Sequence, residues 1–359
     1  MYNTFTSGTS GVEKVTRTQE GNGDLAAFVS TVLAGGPGLE DYLFDTLDVP
    51  KVLNYLVGCW LFHENDHVHK NHFLYRDSDG DREWHFIPWD KDLTWGRNYY
   101  LNSGGVLNDR ITYDHPLHSH VLLGDSQHPN TDGFWNRLFD RIYESPRLRE
   151  MYLRRLRSVC DERLQPPGTA AAELWMEQLI EGAYVLMAPD VALDEARWGL
   201  ATWGTPRGFQ QAKDRMIQEY VVNRRAFLYG PQLAANGGLV PDDDGGRTQL
   251  RFTGFDVDPA SGDPDEEYVE VTNGAAAAVD LSGFVLEGAV TMTLPPGTVV
   301  EAGGRVDLAA NERAFRDRAT SPHAGEGHFV VGAFSGTLEA GERLVLRDPQ
   351  GRIRARGEL

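Results

Sequence analysis

The spacing of apolar residues changes character near residue 231, and no other feature bounds the fold as tightly. Before it, long helical stretches dominate: LNYLVGCWLF (53–62), FWNRLFDRIYESPRLREMYLRRLRSVCDERL (134–164), AAAELWMEQLIEGAYVLM (170–187) and FQQAKDRMIQEYVVNRRAFLYG (209–230). After it come short runs, among them YVEVTN, VDLSGFVLEG, TMTLP, GHFVVGAF and ERLVLRD, broken by Gly and Pro turns about every ten residues. A period of 3.6 and a period of 2 bury different residues, so one architecture cannot serve both halves. The expectation is an α+β chain: a mostly helical domain over 1–231, a linker over 232–247, and an all-β sandwich over 248–359. The linker reading rests on AANGGLVPDDDGGR (234–247), rich in Gly, Asp and Pro.

Within the first region, Val49–Phe62 reads as a central helix because it is apolar on nearly every face. Asp48 is its expected N-cap and Pro50 sits in its first turn. HFLYRD (72–77) and EWHFIPW (83–89) flank an Asp79-Gly80 pair, a hairpin signal. The many Arg residues of the later helices read as solvated faces.

Charge and cysteines exclude several functions. With 34 Lys+Arg against 53 Asp+Glu, the net charge is −19, so no broad basic face is available for nucleic acid. Two cysteines, Cys59 and Cys160, exclude a disulfide scaffold and a four-cysteine zinc site. They read as buried thiols, with a bridge between them as the open alternative. No apolar run reaches the length of a membrane span, and the first residues contain no apolar export segment.

The densest polar cluster runs from His63 to Asn71, directly after the core helix. It supports two chemistries. His63-Glu64-x-x-His67 matches H-E-x-x-H, which on a helix presents two imidazoles to zinc with a glutamate base. Lys70 and Phe73 stand where the longer metzincin pattern requires Gly and His. Alternatively, Asp66 and Asn71 have the Asp-x4-Asn spacing of a kinase catalytic loop, and Asp90 follows beyond a hairpin, where a kinase holds its metal-binding Asp. Phosphoryl transfer needs one carboxylate to accept a hydroxyl proton, and an amide plus a second carboxylate to hold magnesium. On this reading Asp66, Asn71 and Asp90 should converge to about 4–7 Å.

The stretch KNHFLYRDSDGDREWHFIPWDKDLTWG (70–96) resembles the CotH kinase family, the spore-coat type of atypical protein kinase. The resemblance rests on Asn65, Asp66, Lys70, Asn71, Leu74, Tyr75, Arg76, Pro88, Trp89, Asp90, Asp92, Thr94 and Gly96. Phe73 replaces a common Tyr. The resemblance implies a kinase-like C-terminal lobe, with Asp66 as catalytic Asp and Asn71, Asp90 and Asp92 as ligands of Mg2+ or Mn2+. It also implies that Lys70 and Trp89 lie against ATP, and that the acceptor is a Ser or Thr of a protein. The residues before the core helix, with Lys14 as their one lysine, are too few for a β-lobe that covers the nucleotide. The chain is therefore expected to match the C-terminal lobe alone, through a start upstream of Met1 or loss of the lobe, and to turn over poorly. A non-catalytic surface or binding protein built on the same lobe is the rival from another class.

EEYVEVTNGAAAAVDLSGFVLEG (266–288) and the runs after it resemble a lamin-tail domain, an immunoglobulin-like sandwich. That family serves as a spacer or binding module, so a surface partner and no catalysis are expected there. Localisation stays open in the sequence itself; the two resemblances imply an extracellular, cell-surface or spore-surface parent. His115, His118, His120 and His128 read as polar loop residues rather than ligands. Asp77, Asp79 and Asp81 read as a turn, because Arg82 and Pro88 break the calcium-loop pattern.

Overall fold

A computed structural model describes residues 14–64, 66–100, 105–114, 119–130, 133–200, 205–243 and 248–359. The chain opens with helices α1 (Gly23–Ala34), α2 (Leu39–Thr46) and α3 (Val49–Leu61). Helix α3 starts where its sequence directs: the Asp48 side chain accepts from Lys51 N at 3.0 Å and Pro50 occupies the first turn. Ten of its thirteen residues are buried, so it must be covered on all sides.

The hairpin β1 (His72–Arg76) and β2 (Trp84–Pro88) covers one side, in register from His72 opposite Pro88 to Arg76 opposite Trp84. Its loop, 77–83, is closed by Asp77 Oδ1, which accepts from Asp79 N and Gly80 N at 3.2 and 3.0 Å. These are the bonds of a side-chain-closed turn. A second antiparallel pair, β3 (Arg97–Tyr100) and β4 (Gly105–Ile111), follows. Helices α4 (Arg137–Glu144) and α5 (Pro146–Val159) come next, capped by Asn136 and Ser145. Helix α5 lies against α3 and continues into a π turn over Cys160–Leu164. Cys59 and Cys160 are separate buried thiols. The lobe ends with α6 (Trp175–Trp198), α7 (Phe209–Arg215) and α8 (Val222–Leu228). Among the described residues, no helix is long and apolar enough to cross a membrane.

The C-terminal region is a two-sheet sandwich. Strands β5 (Leu250–Asp256), β6 (Tyr268–Asn273), β7 (Val279–Asp280), β8 (Val285–Gly288), β9 (Val290–Thr293), β10 (Val299–Val300) and β11 (Arg305–Ala309) lead to the short helix α9 (Glu312–Asp317). Then come β12 (Val330–Gly332), β13 (Ser335–Gly336), β14 (Arg343–Arg347) and β15 (Ile353–Glu358). One sheet has the order β12-β11-β6-β5 and the other β13-β9-β8-β14-β15, with β7 and β10 forming a separate pair. All pairings are antiparallel except β11 with β12. Alternate residues of β6 are buried, as a strand with one face on a core requires.

The two regions share one hydrophobic core, which runs without a break from Phe28 through α3 and α5 to the inner faces of the sandwich. Helix α5 rests on β7 and β10. Here the reading of the Arg residues as solvated is corrected. Arg154, Arg155, Arg157, Arg224 and Arg225 are all buried. Each guanidinium has five donors in a planar fork and can satisfy carbonyls and carboxylates that the packing would otherwise strand. Arg155 bonds to Asn54 Oδ1 at 2.8 Å, Asp280 Oδ2 at 3.0 Å and Ser282 Oγ at 3.1 Å. Arg224 bonds to the carbonyls of Tyr113 and Trp60 at 2.6 and 2.7 Å and lies over the Trp60 ring. Residues 234–243 are also held. Val240 is fully buried, and Arg157 and Arg154 bond to the carbonyls of Pro241 and Asp242.

A continuous core with a buried Arg155–Asp280 bridge predicts cooperative unfolding of both regions in one calorimetric transition. Arg155→Ala leaves Asp280 uncompensated and should cost about 3 kcal/mol or more by denaturant titration. Two well-separated transitions in the wild type, or a loss below about 1 kcal/mol, would contradict a rigid joint.

Candidate functional site

The polar segment 62–71 leaves the C-terminal end of α3 and is held down on both sides. Glu64 N bonds to Cys59 O at 2.8 Å and Trp95 N to Phe62 O at 2.7 Å. Asn136, the cap of α4, donates to Val68 O at 2.9 Å from a buried position. Four non-glycine residues here have left-handed backbones: His63 (φ 50°), Asn71 (φ 60°), Asp90 (φ 53°) and Trp95 (φ 62°). Asn, Asp and His tolerate that region, whereas the bulky Trp is strained in it. Such clustering is typical of segments whose geometry is set by function rather than propensity.

The sequence candidates fall out unequally. Asp66 is buried, and its Oδ2 receives both the Lys70 ammonium at 2.8 Å and the Asn71 amide at 2.9 Å. The same Asn71 amide donates to the backbone carbonyl of Asp90 at 3.2 Å, and Trp89 N bonds to Asn71 O at 3.1 Å. Asn71 thus joins the segment after α3 to the end of β2. The side chains of Asp90 and Asp92 are exposed beside it. Among the described residues, Asp66, Asp90 and Asp92 do not gather as three carboxylates within 4.8 Å of one another. Trp60 is core, but Trp89 is 62% exposed and meets the Phe73 ring edge-on at 5.6 Å. Asn65 lies outside the described residues.

The zinc geometry is not formed. It requires residues 63–67 to be helical, but α3 ends at Leu61 and His63 turns left-handed. His63 Nδ1 faces Thr112 O at 2.9 Å beside the Tyr220 ring, while His67 Nδ1 faces Glu64 O at 2.6 Å and its ring stacks on Phe139. The set His63, Glu64 and His67 is not a ligand cluster among the described residues. Of the loop histidines, His120 and His128 stack at 3.4 Å, with His128 Nδ1 on Asp125 at 2.9 Å. His115 and His118 lie outside the described residues.

Glu64 has a different role from the one its motif suggests. Its Oε1 accepts the Asp66 amide at 2.7 Å, so it fixes the backbone of Asp66. Its Oε2 is buried with no hydrogen-bond partner among the described residues. Sequence reasoning missed Lys91, which reaches toward the Tyr55 hydroxyl at 3.5 Å and over its ring, and whose charge acts on Glu64. The available signal was a single cation inside the acidic run Trp89-Asp90-Lys91-Asp92.

Burial pushes the Glu64 carboxyl up from 4.5 to about 7; Asp66 and Asp92 act in the same direction, while Lys91 and the Asp66 amide oppose. The folded chain therefore keeps a proton that the unfolded chain has released. The group costs stability progressively as pH rises from about 4.5 to about 7. Glu64→Gln should flatten that loss, by up to roughly 3 kcal/mol at pH 8. Denaturation midpoints measured at both ends of the window test this; an unchanged pH slope would refute the assignment.

Comparison with known families agrees with the resemblances read in the sequence. The family model described as CotH kinase protein matches residues 4–228, and that of the Lamin Tail Domain matches 245–357. No curated protein matches the chain. The first match covers more than half of the 359 residues, and the chain belongs to the CotH kinase protein family, its kinase domain followed by a lamin tail domain.

Proposed function

We propose that the helical lobe carries the catalytic machinery of a kinase-type phosphotransferase, which moves the γ-phosphate of ATP to a Ser or Thr hydroxyl of a protein. The observation that carries this reading is the Asn71 amide, which reaches both the Asp66 carboxylate and the Asp90 carbonyl. Through it a buried carboxylate and two exposed ones stand at the same end of the hairpin.

In this reading Asp66 accepts the proton of the substrate hydroxyl. Glu64 and Asn71 hold it in place. Asn71 Oδ1, Asp90 and Asp92 are hard oxygen donors, a set suited to Mg2+ or Mn2+. Bound there, the cation would offset phosphate charge. Lys70 in the structure neutralises Asp66; in the complex its ammonium turns to phosphate oxygens, which frees the carboxylate. Trp89 offers an exposed ring face beside the metal end. The lamin tail domain serves as the module that meets a surface partner.

The same Lys70–Asp66 pair favours the second reading, a lobe kept as a non-catalytic scaffold. The two readings differ in whether the pair opens. The 359-residue chain alone should incorporate phosphate from radiolabelled ATP at close to background with Mg2+ or Mn2+. Among the described residues the elements before α3 are the helices α1 and α2, with no strand, and losing one well-placed electrostatic group already costs about 10²–10³ in rate. Clear incorporation that disappears in Asp90→Ala would overturn that expectation of low turnover and establish the kinase.

Binding separates the two readings even without turnover. Mn2+ should raise the melting temperature of the wild type, and Asn71→Ala should abolish the shift. A shift that survives Asn71→Ala, or none in the wild type, would leave the scaffold reading standing.

A further inference from the structure

The hairpin that ends at Asp90 is gripped at its other end by the lamin tail domain. Glu83, at the root of β2, is buried, and its Oε1 pairs with Arg316 Nη2 of α9 at 2.5 Å; both side chains are more than nine-tenths buried. Two further contacts flank the pair. Arg313 Nη1 donates to Asp79 O at 3.1 Å, and Arg82 pairs with Asp317 at 3.5 Å. Arg316 also approaches Phe44 O at the end of α2. Its Nε and Nη1 have no hydrogen-bond partner among the described residues, so Glu83 is the carboxylate that meets its charge most directly. The acids around it are Asp81, Glu312 and Asp48; Glu312 is occupied by the Gly332 amide at 2.6 Å and Asp48 by Lys51.

From Glu83 the chain runs directly through β2. Five residues at ~3.3 Å each carry the constraint roughly 17 Å, to Trp89, whose amide is bonded to Asn71 O. A two-stranded hairpin is marginal by itself, and among the described residues β1 and β2 form a sheet of two. Its order must come from what it packs on: α3 beneath it and α9 at its root.

We propose that Arg316 is a positioning residue for the candidate kinase site, acting across the domain boundary through Glu83 and β2 to hold Asp90 against Asn71. The lamin tail domain is then part of the frame of the catalytic lobe. This rests on the function proposed above, and the experiment reads the two separately.

The full chain is compared with Arg316→Met, which keeps bulk and removes charge, and with the milder Glu83→Gln, which keeps an acceptor for the guanidinium. Arg155→Met, which loosens the joint at α5 without touching the hairpin, is the control. In Arg316→Met, amide hydrogen exchange at Trp89 should speed up about tenfold, the equivalent of about 1.4 kcal/mol. Strands β6 and β11 should remain protected. Mn2+ affinity should fall by a similar factor, with Glu83→Gln in between and the control within about twofold of wild type. Unchanged Trp89 exchange in both variants overturns the proposal. So does faster exchange with unaltered Mn2+ affinity, or an equal response in the control. If Mn2+ binding in the wild type is indifferent to Asn71→Ala, the kinase reading fails, and the Trp89 exchange still decides whether Arg316 holds the hairpin.

Discussion

Helix α3 is apolar on nearly every side, and the rest of the molecule is arranged to keep water off it. Its central residues, Leu53, Leu56, Val57 and Trp60, are buried at once, so one neighbour cannot suffice. The hairpin covers one flank and α5 another, and Asn54 donates to the Pro296 carbonyl of the sandwich at 2.7 Å. The N-terminal end carries the Asp48–Lys51 pair, and from the C-terminal end the chain emerges as the polar segment His63–Asn71. The site's position follows from that geometry: buried Glu64 and Asp66 sit at the end of a buried helix, where backbone groups must be satisfied locally.

Arginine is what allows two unlike architectures to share one core. A purely apolar joint between α5 and the sandwich would strand the loop carbonyls and the carboxylates of β7 and the 301 turn. Arg155, Arg147 and Arg316 answer these with forked donors; Arg147 bonds to Glu301 at 2.6 Å and Gly327 O at 2.9 Å while it lies 4.0 Å from the Phe44 ring centroid. Their charge is matched by partners within the interface, so the pairs serve register as much as stability. The consequence is mechanical: α5 and the hairpin each meet the sandwich through an arginine contact of their own.

The site shows the opposite economy. Asp66 is over-determined by Glu64, Lys70 and Asn71, whereas Asp90 and Asp92 project into solvent. On the proposed reading, a fixed carboxylate beside exposed acids would be completed by a cation and its phosphates. The left-handed backbones at Asn71 and Asp90 hold the two segments face to face across that gap.

Several elements and the family were legible in the residues themselves. Asp48 and Pro50 specify the start of α3, alternation specifies the hairpin strands and β6, and the fixed spacing of Asp66, Asn71 and Asp90 marks the candidate site, because caps, periods and motif spacings are local properties of the chain. The sequence could not say where long side chains end. The same Arg-rich stretches read as solvated faces until α5 and the sandwich met, because a guanidinium is buried only when distant carbonyls and carboxylates arrive together. His63 and His67 likewise looked like one helical face until Glu64 N bonded back to Cys59 and the helix stopped short of them. Tertiary structure decided both outcomes, and it alone paired Glu83 with Arg316, residues separated by 233 positions that no local pattern connects.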